Sequence, residues 1–190
     1  MATTGPAFVA SWALAMSAMM LPSELPLLRL DYATARSRTR TTALLLGYLA
    51  VWIALAAPVW LGDRAIGGRL LGMHGRELTA GILGAAALYQ LTPLKRRCLA
   101  ICRAPLARIL HSWRDGHRGA FRMGMVNGMW CVGCCVGLTA TLLALGMMSI
   151  GWMVAVGAAI LVEKTTGVGL VATRATAVAL AIGAVLLVAL

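Results

Sequence analysis

Acidic residues are scarce in this chain. Six Asp and Glu stand against seventeen Lys and Arg, and charged residues of either sign fill only 12% of 190 positions. So little charge leaves no room for a separate solvated domain of ordinary size. Catalytic signatures are missing too. There is no nucleophile–base constellation, no phosphate-binding glycine loop and no HExxH pair, so nothing marks an enzyme. The net charge of +11 is not interleaved with aromatic residues, which argues against a nucleic-acid surface. Five cysteines is an odd number, and their spacing is not that of a secreted disulfide scaffold. No internal repeat of useful length is present. The first residues, Met1 to Pro6, lack the Lys or Arg of a signal-peptide n-region, so the first apolar run is expected to be retained.

What the chain does have is apolar sequence. Hydrophobic residues make up 61%, where soluble domains sit near about 45–50%. Runs of about 18 or more apolar residues predict membrane spans. The expected fold is an all-α, polytopic integral membrane helix bundle of about six transmembrane helices, near 6–26, 43–61, 78–94, 123–147, 150–164 and 174–190. The long apolar stretch from Met123 to Val162 is divided at Met148-Ser149-Ile150-Gly151, a small polar-plus-glycine turn.

The basic residues lie between these runs. Arg29, Arg36, Arg38 and Arg40 follow the first; Lys164 and Arg174 follow the fifth. The richest gap, 95–122, holds Lys95, Arg96, Arg97, Arg103, Arg108, Arg114, Arg118 and Arg122. The positive-inside rule makes 95–122 a basic cytoplasmic loop and puts both termini outside a bacterial inner membrane. Anionic lipid headgroups are then the natural partners of the cations, and nucleic acid is not.

Chemistry concentrates at Cys131-Val132-Gly133-Cys134-Cys135. Thiols at i, i+3 and i+4 share one helix face. As thiolates they suit Cu(I), or Zn(II) as second choice. A buried cysteine can also act as a small hydrophobe, but three on one face favour ligation. Met16, Met19 and Met20 repeat the spacing on the first span, where neutral thioethers suit Cu(I) in a low-dielectric medium. At about 1.5 Å per residue, both clusters fall near the middle of a hydrocarbon core about 30 Å thick. Cys98 and Cys102, one helical turn apart among cations, form a candidate cytoplasmic metal or redox pair. Pro93 and Pro105 bracket them as a short separate element. Glu163, beside Lys164 at the inner end of the fifth span, is a further candidate ligand or an interfacial ion pair. Tyr89 and Gln90 need polar partners, Trp152 suits an interfacial anchor, and Met147, Met148 and Met153 mark the outer face. His74, His111 and His117 lack metal spacing. Gly124-x3-Gly128 and Gly133-x3-Gly137 allow a neighbouring helix to approach the cysteine face.

The chain resembles a bacterial family of predicted metal-binding integral membrane proteins. The matching stretches are Trp12 to Pro22, Tyr89 to Lys95 with Cys98 and Cys102 to Pro105, Gly128 with Cys131 to Cys135, Trp152-Met153 and Glu163-Lys164. The resemblance implies metal binding.

The expected function is binding of a soft transition metal, copper first, for transport, delivery or homeostasis. A metallochaperone or a larger membrane complex is the implied protein partner. Two alternatives remain open at this point. One is a membrane thiol–disulfide oxidoreductase using Cys131 and Cys134 with Cys98 or Cys102. The other is an accessory or scaffold subunit docked through its small-residue faces.

Overall fold

The computed structural model describes residues 5–65, 75–146, 149–167 and 169–189. Among these residues the chain is helical with short turns and contains no strand. Arg69, His74, Met147 and Met148 lie outside them.

Helix α1 spans Gly5–Ala35, well past the expected limit at 26, and runs through Pro22 and Pro26. Each proline lacks the N–H that would reach the carbonyl four residues earlier. Ser23 Oγ donates to the Met20 carbonyl at 2.8 Å between them. One face of α1 carries Phe8, Trp12, Met16, Met19 and Met20, then Glu24, Leu27 and Asp31, all buried. This helix thus turns an apolar stripe into an acidic one without changing face. It ends where Arg36 takes a positive φ of 49°, a left-handed stop that breaks the helical ladder.

Ser37 caps α2 (Arg38–Ala54) by accepting from Arg40 N. Helix α3 (Ala56–Ala65) continues nearly in line, after a break at Leu55 that Pro58 explains: it offers no N–H to the Ala54 carbonyl. Helix α4 is Arg76–Gln90. Pro93 then opens α5 (Pro93–Cys102) and Pro105 opens α6 (Pro105–Ser112), each at a first-turn position that needs no N–H. The stretch 95–122 therefore holds most of α5, all of α6 and the start of α7. Helices α7 (Gly116–Leu145), α8 (Ile150–Thr165) and α9 (Gly169–Ala189) complete the chain.

Among the described residues, four helical stretches are long and apolar enough to cross a membrane: 5–35, 38–62, 116–145 and 169–189. Helices α4 and α8, of 15 and 16 residues, reach only about 22–24 Å at 1.5 Å per residue.

Helix α7 is the hub, packed against α2, α4, α5 and α8. Its glycines set the seams. A Cβ on Gly124 would strike the backbone of Leu44, and one on Gly128 would meet Val51, so α2 lies almost backbone to backbone on α7. On α2 the reciprocal contact is Gly47 against the Phe121 carbonyl. Gly133 faces Cys98 of α5, and Gly137 faces Tyr89 and Ala86 of α4. The core joins the apolar stripe of α1, Tyr48 and Trp52 of α2, Leu99 of α5, the cysteine face of α7 and Ile160 of α8.

Candidate metal centre

The i, i+3, i+4 spacing on α7 brings Cys131, Cys134 and Cys135 together. Their sulfur atoms all lie within 4.8 Å of one another and all three residues are buried. The Cys134 and Cys135 sulfurs are 3.4 Å apart. A metal with bonds of about 2.3 Å needs sulfur separations of about 4 Å, so the set requires only small adjustments.

A fourth sulfur joins from another helix. Cys102, at the end of α5, is half-buried with its Sγ 3.6 Å from Cys134 Sγ. Cys98 packs elsewhere, filling the space left by Gly133, with its Sγ 2.7 Å from where a Cβ would stand. On α5, outside the four long helices, burial raises the pKa of the Cys98 thiol. The hydrogen bond from Cys134 lowers that of Cys102 and outweighs burial. Met16, Met19 and Met20 belong to the same buried cluster as the three cysteines. Met19 also lies against Gly157 of α8.

Charged and polar groups from distant helices surround the sulfurs. Lys164 Nζ, from α8, donates to Cys131 Sγ at 2.9 Å and to Ser23 Oγ at 3.1 Å. It also pairs with Glu24 Oε1 at 3.3 Å. The other Glu24 oxygen accepts from Asn127 Nδ2 at 2.6 Å. Tyr48 OH lies 3.1 Å from Cys131 Sγ. An ammonium directly beside a buried sulfur offsets the charge of a thiolate where water cannot.

Glu163 is engaged differently. Lys95 Nζ lies 2.7 Å from its Oε2, and Gln90 Nε2 donates to its Oε1 at 3.1 Å. Both oxygens thus have partners away from the three-sulfur group. Lys95 also donates to the Cys134 carbonyl, and Tyr89 OH to the Gly133 carbonyl. These bonds hold α4 and α5 onto the cysteine turn. Trp152 and His111 are exposed; His117, also exposed, lies 3.0 Å from Thr39 Oγ1 through Nε2.

A family model described as PpoB2, copper chaperone, matches residues 9–187. The chain belongs to this copper chaperone family. No curated protein and no solved structure matches it. Family membership and the three-cysteine cluster together support copper binding or handling. The donor set fits such a cargo: clustered thiols suit soft Cu(I), and the adjacent Lys164 supplies compensating charge.

The partnerships of Lys164, Glu24, Tyr48 and Lys95 are the functional features that sequence reasoning misses. The one usable signal is that charged residues within apolar segments must find partners. That principle does not say which ones.

A cavity of about 190 Å³ opens beside this centre. Cys102, Arg103 and Arg108 of the α5–α6 region line it together with Glu24, Asn127 and Lys164. It connects Cys102 with the polar groups around Cys131.

Proposed function

We propose that the protein is an integral membrane copper chaperone that binds Cu(I) as cargo through Cys131, Cys134 and Cys135. It passes the ion by ligand exchange through Cys102 to or from a metallochaperone or metalloenzyme partner. The observation that carries this reading is the fourth sulfur. Cys102 is close enough to Cys134 to take over a metal bond and also borders a polar cavity. Met16, Met19 and Met20 are supporting thioether ligands, and Cys98 packs the exchange helix against α7.

Placement in a bacterial cell membrane is supported by the four long apolar stretches and by large apolar side chains left bare, including Leu14, Leu88, Ile150 and Val188. Six crossings, with α4 and α8 as the short ones, bring the basic residues of α5 and α6 to the cytoplasmic side. The exchange cavity then opens toward the cytoplasm, and both termini lie outside.

The deciding experiment is elemental mass spectrometry of detergent-purified protein beside a Cys131→Ser/Cys134→Ser/Cys135→Ser variant. Near-stoichiometric copper in the native protein and none in the variant is the expected result. After reconstitution with Cu(I) under reducing conditions, absence of copper from both would overturn the proposal.

Thiol–disulfide exchange is a second function with a specific observation behind it, the same 3.6 Å Cys102–Cys134 approach. It requires a reversible Cys102–Cys134 disulfide formed against an external disulfide. Differential alkylation in membranes separates the two functions: full alkylation of Cys102 under all redox conditions removes the oxidoreductase.

A further inference from the structure

A larger cavity, about 840 Å³, lies on the other side of Arg108, between α5–α6 and α7. Its volume is in the range of sites that take a whole small organic molecule, about 300–1,000 Å³. Its lining combines cationic and apolar surface. Along α7 the lining runs from Arg122 through Met123 and Val126 to Trp130, just over two turns. Arg108 and Arg114 add two more guanidiniums to the lining, and His111 an imidazole. Ala100, Ala104 and Ala107 contribute small apolar surface.

The charged side chains of the lining are of one sign. No acidic side chain is part of the lining. The nearest in sequence, Asp115, accepts from Trp113 Nε1 at 2.9 Å. Arg108 is nine-tenths buried, and its Nε has no hydrogen-bond partner among the described residues. Its Nη2 donates to the Ile101 carbonyl at 2.6 Å, which fixes the guanidinium in the cavity wall. A buried guanidinium with an unused donor calls for an acceptor. Arg108 also lines the smaller cavity together with Glu24, but the Glu24 oxygens are taken by Lys164 and Asn127. Three guanidiniums with no carboxylate in the lining they share call for an anion, and the apolar remainder calls for hydrocarbon.

We infer that this cavity holds one anionic phospholipid, its phosphate among Arg108, Arg114 and Arg122 and an acyl chain along Val126 and Trp130. The occupant is a bound lipid rather than a general bilayer contact, because the buried Arg108 guanidinium is fixed in the wall of the same cavity that Arg114 and Arg122 line. This inference rests on the membrane placement proposed above.

Native mass spectrometry of the full chain tests it, after exchange into phosphatidylglycerol or phosphatidylcholine of matched acyl length. One retained phosphatidylglycerol per chain is expected, with phosphatidylcholine readily lost. Arg114 and Arg122 are exposed, so Arg114→Gln/Arg122→Gln should fold normally. That variant should weaken retention about 30-fold, from two lost cation contacts. Ala104→Trp, which fills the apolar part, should expel the lipid while leaving the arginines in place. Equal retention of the two lipids, or no change in either variant, overturns the inference. Displacement of the lipid by millimolar inorganic phosphate alone would mean a free-phosphate site and also overturn it. Membrane fractionation and copper content of the same preparations report separately on the membrane and metal proposals, so those can fail without this one being confused with them.

Discussion

Helices α7 and α9 are both long and apolar enough to cross a membrane, yet they live in different surroundings. In the most apolar window of α7, 61% of residues are buried inside the bundle; in that of α9 only 11% are. The more apolar helix is the one left outside. Helix α7 carries glycines, threonines, Asn127 and three cysteines on its packed faces, whereas α9 turns Val178, Ile182, Val185 and Leu186 outward. In lipid, bare aliphatic side chains cost nothing. What drives a helix to the centre is close packing at small residues and the need of polar groups for partners. Hydropathy therefore finds the helices, and the departures from it find the site.

Substitutions can break or sharpen this contrast. The largest effect is expected from Lys164→Met, which leaves Glu24 buried without its cation. Such a loss costs about 3–5 kcal/mol, read as a lowered denaturation midpoint in detergent, with copper retention falling as well. Adding Glu24→Gln should recover part of the stability but not the copper, because Cys131 still lacks its ammonium. Full additivity of the two changes would show that the pair is not coupled. Next comes Gly124→Leu, which drives a side chain into the Leu44 backbone and should cost about 3 kcal/mol by overpacking. A native midpoint there would mean that α2 and α7 are not pressed together. Tyr48→Phe removes one hydrogen bond to Cys131 and should cost about 1 kcal/mol, with copper still bound but more easily taken by a chelator. Cys102→Ser should leave bound copper at equilibrium nearly unchanged and slow its transfer to a competing thiol. Transfer at the native rate would remove Cys102 from the path. The smallest effect belongs to Val185→Ala on α9, within about 0.5 kcal/mol and silent in copper content. A large effect there would erase the contrast between the two helices.

Much of this arrangement is legible in the sequence because it is local. The convergence of Cys131, Cys134 and Cys135 follows from helical spacing, and the close approach at Gly124 and Gly128 follows from absent side chains. Pro93 and Pro105 mark the ends of α5 because proline suits a helix start. What is not legible depends on long-range packing. Glu163 and Lys164 look like an adjacent interfacial pair, but neighbours on a helix point about 100° apart. Glu163 turns to Lys95 and Gln90, while Lys164 turns to Glu24 and Cys131. No spacing rule links residue 24 to residue 164. The approach of Cys102 to Cys134 likewise depends on how α5 lies across Gly133. The length of α1 departs from expectation because Pro22 and Pro26 interrupt its hydrogen bonds without ending it.

The divergence of Glu163 and Lys164 has a mechanical consequence. They act as two pins set at different angles through one shaft. Turning α8 about its axis cannot preserve both, so the helix is indexed to a single rotational setting, and that setting presents the ammonium to Cys131. Any rotation of α8 would withdraw that charge from Cys131 without moving a sulfur.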